Sequence, residues 1–370
     1  MRSPLYQKIY DDILDQVKSG KLKAGDKLPS EKELAEEYNV SRITSKKALD
    51  LLAQDIVIER IQGRGSFVSN SSYKEKRKDD YRVEANRKSR RKRLIGLIIQ
   101  DFDDCYGTEI VKTIEEQCAQ RQSNLVIKRT NNEIDKEKES LSDLLELGVE
   151  GILIYPNHGK YYQHKILELV INNFPLVYID RYIKEIPISS VGTNNQLAAK
   201  DATNYLFSLG HKEIAFISRP ADGTTAIDDR KQGFQIAFSE QGIKLKPDYF
   251  FNITSYNQFQ NTYNSKEIEE LLLKYPMVTA FVVSEYTLAL YLHYAINMIG
   301  KKVPDDYSII CFDSPIVPIG SPFFTHIKQD EQAIGKEAVN LLFTQIEGKP
   351  CPKSILTNYK LIEGNSIQSL

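Results

Sequence analysis

Long apolar runs, clustered cysteines and familiar catalytic motifs are all missing from this 370-residue sequence. No run approaches the ~20 apolar residues of a membrane-spanning helix, and the polar start has no signal-peptide core, so neither a membrane protein nor secretion is expected. The four cysteines lie far apart without a CxxC or Cys/His cluster, which argues against a zinc site or a disulfide framework and favours a reducing, cytoplasmic compartment. Without a G-x-S-x-G, a P-loop, an H-E-x-x-H or a strand-end G-x-G-x-x-G, we expect no enzyme, no metal and no cofactor.

The near-neutral total charge hides a strong asymmetry. The whole chain has 49 basic and 50 acidic residues, whereas residues 1–93 hold 23 basic and 15 acidic ones. The excess is greatest over residues 71–93, where 11 basic residues face 4 acidic ones in a polar stretch that reads as a linker. A basic arm ahead of an acidic body favours a polyanionic partner, although a solvated linker would have the same composition.

Residues 1–70 have the pattern of three short helices followed by a β-hairpin. Ser30 begins the second helix with a capping-box sequence, and Ser41 is a favourable N-cap for the third. Short alternating segments, Val57–Arg60 and Ser66–Val68, flank a glycine turn. This order predicts a winged helix-turn-helix, in which the second helix of the motif enters the major groove of DNA.

The predicted third helix separates an aliphatic face from a face of basic and hydroxyl side chains. Arginine suits guanine edges or phosphate, and serine and threonine suit phosphate oxygens. An arginine at a flexible wing tip suits a narrow minor groove. The candidate DNA-contacting residues are Ser41, Arg42, Thr44, Ser45, Lys46 and Lys47 on the helix, and Gln62, Gly63, Arg64 and Gly65 at the wing tip.

Three strings within residues 4–70, namely Leu28–Glu31, Val40–Thr44 and Gly63–Val68, resemble the DNA-binding domain of the GntR family. The resemblance implies double-stranded operator DNA as a partner. It also implies that Glu31 lies where members of the family contact DNA, together with Arg42, Thr44, Lys46 and Gly65. For Glu31, helix capping or support of the fold is the alternative.

From residue 94 onward, short apolar runs alternate with helical patterns. Such alternation predicts parallel sheets covered by helices on both faces, and so many strands favour two α/β subdomains with a cleft between them. The predicted strands are 94–99, 125–128, 151–155, 176–180, 213–218, 249–253, 280–284 and 308–313. The predicted helices are 106–121, 135–147, 161–172, 194–209, 228–241, 264–274 and 285–299.

Polar side chains stand where several of these strands end. Ligands of open α/β sheets bind outside the carboxyl ends of the strands, so these side chains are candidates for one cleft. Carboxylates, a guanidinium opening a helix at Arg230 and aromatic faces together suit a small polyhydroxylated ligand. The candidate ligand-binding residues are Asp101, Tyr106, Tyr155, Asp180, Arg181, Arg230, Glu285, Asp313 and Gln329.

The same part of the chain is similar to the sugar-sensing domain of the LacI/GalR family, which shares the fold of periplasmic sugar-binding proteins. The strings that carry the resemblance include Leu94–Ile98, Gly148–Ile154, Pro175–Arg181 and Val303–Ile309. It implies that Arg230 grips ring hydroxyls and that Asp180, Glu285, Asp313 and Gln329 line the cleft, with Tyr106 and Tyr155 as its wall. Members usually have Asn-Asp where this chain has Ser284-Glu285, which changes the depth of the pocket.

The two resemblances together predict a winged helix-turn-helix domain (1–70), a basic linker (71–93) and a sugar-binding, dimerising domain of two parallel-sheet subdomains (94–370). A GntR head with a LacI-type sensor is similar to arabinose repressors, which implies a homodimer released from its operator by a small sugar. L-arabinose is the first expectation, and another pentose or a deoxyhexose is the alternative. A DNA-bound sugar enzyme, or a sugar-binding protein whose head recruits another protein, would have the same domain order.

Overall fold

The computed structural model describes residues 5–55, 57–61, 64–69, 92–157, 164–183, 186–220, 225–255, 257, 264–317 and 319–370. The chain divides into two compact units, residues 1–91 and 92–370. The predicted wing-tip residues Gln62 and Gly63 lie outside the described residues, as does nearly all of the predicted linker.

The N-terminal unit has the predicted order of helices and hairpin. Ser30 caps the second helix through a complete capping box with Glu33, and the Ser41 side chain accepts a hydrogen bond from the Thr44 backbone, so both predicted caps are confirmed. The hairpin strands are antiparallel, with Ile58 opposite Val68. The elements are α1 (Leu5–Lys18), α2 (Glu31–Glu37), α3 (Arg42–Gln54), β1 (Ile58–Ile61) and β2 (Gly65–Val68).

A small apolar core holds this unit together. Ile9 and Ile13 of α1 lie one helical turn apart and pack with Leu34 of α2 and Leu52 of α3, all of them buried. One side of α3 packs on this core, and the opposite side, which includes Lys46, is exposed to solvent. The core therefore fixes which face of α3 is available to a partner.

The larger unit contains two six-stranded sheets among its described residues. The first sheet has the order β13-β7-β6-β5-β3-β4 and is parallel throughout, and the second has the order β14-β12-β11-β10-β8-β9 and is parallel except for β14. The strands of the first sheet are β3 (Arg93–Ile99), β4 (Ser123–Arg129), β5 (Gly151–Ile154), β6 (Leu176–Ile179), β7 (Ser189–Thr193) and β13 (Ser354–Thr357). Those of the second are β8 (Ile214–Ser218), β9 (Phe250–Asn252), β10 (Ala280–Val283), β11 (Ser308–Phe312), β12 (Thr325–Gln329) and β14 (Tyr359–Ile362).

Helices cover both sheets and complete two subdomains. The first subdomain contains α4 (Thr108–Gln120), α5 (Ile134–Glu146), α6 (His164–Ile171) and α11 (Glu331–Ile346), and the second contains α7 (Asn195–Ser208), α8 (Thr225–Glu240), α9 (Ser265–Lys274) and α10 (Tyr286–Met298). At Gly233 of α8 an added Cβ would lie 2.0 Å from the carbonyl oxygen of Gln196 in α7. Only glycine allows these two helices to approach so closely.

The structure adds several elements that the sequence pattern did not predict, namely β7, β12, β13, β14 and α11. Because α11 follows β12 of the second sheet but packs on the first, the chain passes between the subdomains near residues 194, 330 and 358. The predicted parallel arrangement also needs one correction. β14 pairs with β12 in the antiparallel direction. A single residue, Asn358, connects β14 to the preceding strand β13, which belongs to the other sheet.

Candidate functional site

A cavity of about 610 Å³ lies between the two subdomains, at the carboxyl ends of their strands. All nine residues predicted to bind a ligand line it, so the structure brings the whole predicted set together. The first subdomain contributes Asp101, Tyr106, Tyr155, Asp180 and Arg181, and the second contributes Arg230, Glu285, Asp313 and Gln329. Their role in binding remains a prediction.

Two carboxylates, one from each subdomain, occupy equivalent positions at the cavity. Asp180 directly follows β6 and Asp313 directly follows β11, and both have left-handed backbone angles, with φ of 66° and 65°. Aspartate tolerates this conformation better than most residues, and such strain concentrates at functional sites. The Tyr106 hydroxyl donates to Asp180 Oδ1 at 2.8 Å, and Gln329 Nε2 donates to Asp313 Oδ1 and Oδ2 at 2.9 and 3.1 Å.

The environment of these groups shifts their protonation. Burial raises the pKa of Asp313 to about 7, although Arg230 and the hydrogen bond from Gln329 oppose the shift. Burial, followed by the charge of Asp180, raises the pKa of Tyr106 well above its usual value. Tyr106 is therefore a protonated donor at neutral pH, whereas Asp313 changes charge within the physiological range.

Arg230 lies in the second turn of α8. It does not open the helix as the sequence predicts, because α8 already begins at Thr225. Its Nε donates to Asn195 Oδ1 at 2.7 Å, its Nη1 donates to the Ser284 carbonyl at 2.6 Å, and its guanidinium lies 3.8 Å from the centre of the Phe312 ring. These contacts hold a buried, planar cation in one orientation at the cavity.

Within the described residues, three buried side-chain atoms at the cavity have no hydrogen-bond partner. They are Arg181 Nε, Ser284 Oγ and Gln329 Oε1. Buried polar atoms are normally satisfied, and leaving one unsatisfied costs about 1–3 kcal/mol. Arg181 Nε is a donor, Gln329 Oε1 is an acceptor and Ser284 Oγ can act as either. Hydroxyl groups of a ligand, or water, can donate and accept and would therefore satisfy all of them.

The cavity also contains residues that were not predicted. Arg219 follows β8 directly and pairs with Glu285, Nε to Oε2 at 3.4 Å, and Arg129 pairs with Asp101, Nη1 to Oδ1 at 3.4 Å. Asn132 lines the cavity with a left-handed φ of 63°. The strand-end rule identifies Arg219, because Ser218 ends β8.

The exposed face of α3 is the candidate nucleic-acid interface of the N-terminal unit. Arg42 and Lys46 are exposed on it, and the Lys47 Nζ lies 4.2 Å from the centre of the Tyr6 ring on α1. Ser41 and Thr44 share a hydrogen bond between their hydroxyl oxygens at 2.8 Å. These residues lie in the first turns of α3, where a recognition helix meets base edges.

Ser45 requires a correction. It is fully buried, and its hydroxyl donates to the carbonyl oxygens of Glu31 at 2.7 Å and Arg42 at 3.1 Å. A side chain enclosed in this way cannot reach a DNA phosphate, so Ser45 joins α3 to α2 and does not contact DNA. The sequence assigned it to the groove because serine commonly contacts phosphate, without information on its burial.

The remaining predicted DNA contacts fall on α2 and the wing. The Glu31 carboxylate pairs with Arg60, which also pairs with Asp50, an arrangement that favours support of the fold over DNA contact. Arg64 is exposed, and Gly65 has a φ of 113°, with the position of a Cβ only 3.1 Å from Lys27 Cε. The wing turn therefore needs a glycine at position 65 whether or not that glycine also contacts DNA.

The described residues also bear on metal binding and on membrane insertion. Over the described ranges, no group of histidine, cysteine, aspartate or glutamate side chains could hold a metal ion. In the part of the chain with assigned structure, none of the helices combines the length and the apolar character needed to cross a bilayer.

Comparison with known proteins matches both parts of the chain. The family described as "Bacterial regulatory proteins, gntR family" matches residues 5–68, and "Periplasmic binding protein-like domain" matches residues 203–367. An arabinose metabolism transcriptional repressor of Geobacillus stearothermophilus is 28% identical over 99% of this chain and 98% of its own length. A ribose operon repressor of Halalkalibacterium halodurans is 30% identical over 70% of this chain and 74% of its own length.

Solved structures share the fold of the larger unit. The transcription regulator CcpA of Lactococcus lactis superposes with a TM-score of 0.64 at 24% identity and covers 75% of this chain and all of its own. A LacI family regulator of Enterococcus faecium, solved with bound ribose, has a TM-score of 0.60 at 20% identity over 75% of this chain and all of its own.

These matches confirm the winged helix-turn-helix head, the two-subdomain sensor fold and the expectation of a regulator in place of an enzyme. The relatives are transcriptional repressors and regulators. The chain belongs to the LacI/GalR-like family of bacterial transcriptional repressors and carries a gntR-family helix-turn-helix domain as its DNA-binding head.

Proposed function

We propose that this repressor binds a neutral sugar between the subdomains of its sensor and releases its operator when the sugar is bound. The observation that carries the proposal is the cavity of about 610 Å³, where polar side chains from both subdomains converge and the buried Ser284 Oγ and Gln329 Oε1 accept or donate no hydrogen bond within the described residues. A ligand that contacts both Asp180 and Asp313 binds the two subdomains at once. Such a ligand stabilises the closed arrangement of the cleft relative to the open one.

The charges at the cavity favour an uncharged ligand. Arg129 pairs with Asp101 and Arg219 pairs with Glu285, while Arg181 donates to the carbonyl oxygens of Pro156 and Asn157 at 2.9 Å. Four arginines line the cavity together with six carboxylates, so it lacks the excess positive charge that a phosphorylated or carboxylated sugar needs. The carboxylates accept from sugar hydroxyls, and Tyr106 and Tyr155, whose rings pack edge to face at 6.4 Å, offer an apolar wall.

L-arabinose is the proposed effector. Relatives named arabinose metabolism repressors are similar to this chain over 91–99% of its length, which includes the DNA-binding head, whereas the relatives named ribose operon repressors match over only 70% of it. Ribose, another pentose or a deoxyhexose offers similar hydroxyl groups and is the alternative. The genes that respond would then be genes of sugar metabolism, and the protein would act in the cytoplasm.

We further propose that the repressor acts as a homodimer through an uncharged face of α10. This helix has no Asp, Glu, Lys or Arg, and Leu290, Tyr294 and Met298, spaced four residues apart, are 43–58% exposed. Phe323 extends the face by packing against His293, with ring centres 4.7 Å apart. A face without charge can meet its own copy across a two-fold axis without repulsion, and a two-fold dimer matches a palindromic operator.

The test of function is a sugar titration of the protein bound to its operator. The operator is first selected by the full-length protein from random duplexes, and fluorescence anisotropy then follows release as L-arabinose, ribose and other sugars are added. Coupling of this kind is typically about 1–3 kcal/mol, so a specific sugar should weaken operator binding roughly 5- to 150-fold. The Arg230→Ala variant should bind the operator normally and respond to no sugar, because its guanidinium is lost from the cavity.

Arg93→Ala provides the matched control, since Arg93 is about half exposed, pairs with Glu150 at 3.2 Å and does not line the cavity. This control should keep the full sugar response. Operator affinity unchanged by every sugar at millimolar concentration would rule out release by a sugar. An affinity for DNA that does not depend on salt would instead support a head that recruits another protein.

A further inference from the structure

The first turn of α3 carries an exposed aliphatic side chain between two predicted DNA contacts. Ile43 is 80% exposed, and it lies between Arg42 and Thr44. Lys46 and Lys47 follow three and four residues later, so they share its face of the helix. Among the described residues of this unit, Ile43 is the most exposed large apolar side chain, and it lies at the N-terminal end of a cationic face.

The chemistry of the major groove makes this placement informative. Lysine side chains neutralise phosphates wherever the helix lies, so Lys46 and Lys47 are expected to give affinity with little dependence on sequence. Arg42 can bind a phosphate or a guanine edge, and neither contact reads a thymine. The C5-methyl group of thymine is the apolar group that the groove presents, and aliphatic side chains contact it. Isoleucine is also restricted at χ1, so it loses little rotamer freedom on contact.

We propose that Ile43 is a specificity-determining residue that packs on a thymine methyl group in each half-site of the operator. The inference rests on the proposed DNA-binding function. It adds Ile43 to the candidate DNA contacts, which were chosen for side chains that form hydrogen bonds or carry charge. Arg42 and Thr44 hold the first turn against the DNA, and Ile43 then distinguishes a T·A pair from pairs that lack the methyl group.

The experiment replaces thymine with deoxyuridine, which removes only the methyl group. The full-length protein first selects its operator from random duplexes, and each thymine of that operator is then exchanged in turn. Loss of one buried methyl contact is worth about 0.8 kcal/mol, so the exchange at one position per half-site should weaken binding roughly three- to fivefold for each contact. Ile43→Ala should weaken binding to the thymine operator by a similar factor and show no further loss with deoxyuridine.

Ile171→Ala is the matched control, because Ile171 is 77% exposed on α6 of the sensor. It should retain the full sensitivity to deoxyuridine. Circular dichroism and thermal melting show whether each variant is folded, and the deoxyuridine series on the unmodified protein needs no variant at all.

The outcomes separate this inference from the proposed function. A selected operator that tolerates deoxyuridine at every thymine would overturn the role of Ile43 and leave DNA binding intact. Deoxyuridine sensitivity that persists in Ile43→Ala would assign the methyl contact to another residue. Failure to select any duplex would overturn the proposed function and this inference together.

Discussion

At the scale of single residues, Asp313 combines a left-handed backbone, a half-buried side chain and a hydrogen-bond donor that contacts both of its carboxylate oxygens. Its carboxylate is held by Gln329 from β12, and its pKa is raised to about 7 by burial. A charged carboxylate accepts stronger hydrogen bonds from hydroxyl groups than a neutral acid does. The proposed sugar should therefore prefer the ionised form of Asp313.

This preference predicts that sugar binding depends on pH. Below about pH 7 the protein must lose a proton before it binds, so the affinity should fall up to tenfold for each pH unit, and above pH 8 it should be constant. Calorimetry between pH 5.5 and 8.5 in buffers of different ionisation enthalpy measures both the affinity and the proton released. A dissociation constant that does not change with pH would contradict the assignment of Asp313.

The stability of the unliganded protein changes in the opposite direction. The pKa of Asp313 is higher in the folded state, about 7, than the ~3.9 of an unfolded chain, so folding favours its protonated form. This contribution to stability is complete below about pH 4 and is lost as the pH rises to about 7. Asp313→Asn should accordingly raise the melting temperature more at pH 8 than at pH 5, and its sugar affinity should be weak and independent of pH.

Much of the cleft could be predicted residue by residue because parallel strands bring their carboxyl ends to one edge. Asp180 and Asp313 each follow an apolar strand that is visible in the sequence. The burial of Ser45, the pairing of Glu31 with Arg60 and the pKa of Asp313 depend on groups distant in the chain, so no local pattern contains them.

At the scale of elements, the contact between α7 and α8 determines both stability and the orientation of Arg230. Gly233 lets the helices touch, and Asn195 at the start of α7 accepts the hydrogen bond from Arg230 Nε. In an exposed helix, glycine to alanine stabilises by about 1 kcal/mol. Here the new Cβ would meet the Gln196 carbonyl at 2.0 Å, so the clash outweighs the gain.

Gly233→Ala should therefore destabilise the protein by about 1–3 kcal/mol and weaken the sugar response, because α8 must move away from α7. Chemical denaturation and the anisotropy titration measure the two effects. Gln232→Ala, on the exposed side of the same turn, should change stability by only a few tenths of a kcal/mol. Equal stability of the two variants would show that α7 and α8 can separate without cost.

Most of the strands that the sequence did not predict lack an apolar run or a clear alternation of apolar and polar residues. β7 reads Ser-Ser-Val-Gly-Thr, and its small polar residues give no apolar run although the strand is largely buried. β13 and β14 are short strands at the edges of their sheets, half exposed, with weak alternation. For α11, in contrast, Ile334, Ala338 and Leu342 have the spacing of a helix, so the signal was present in the sequence.

At the scale of the whole molecule, the proposed dimer makes the strongest prediction. Leu290→Asp places a carboxylate on the uncharged face of α10 and, across a two-fold axis, opposite or close to its own copy. The variant should sediment as a monomer at concentrations where the unmodified protein is a dimer. Its operator affinity should fall at least tenfold, because the two half-sites are no longer bound by linked heads.

Leu273→Asp is the control for this variant, since Leu273 is 68% exposed on α9 of the same subdomain. It should remain dimeric and bind the operator normally. A monomeric unmodified protein, or a Leu290→Asp variant that stays dimeric, would contradict the proposed interface.

The single residue between β13 and β14 has a consequence for synthesis of the chain. Asn358 separates a strand that completes the edge of one sheet from a strand that completes the edge of the other. Neither subdomain can therefore finish folding until residues 354–362 have left the ribosome. A premature stop shortly before residue 354 would leave both sheets with unpaired edges at once, so the defect would reach the two halves of the sensor together rather than one alone.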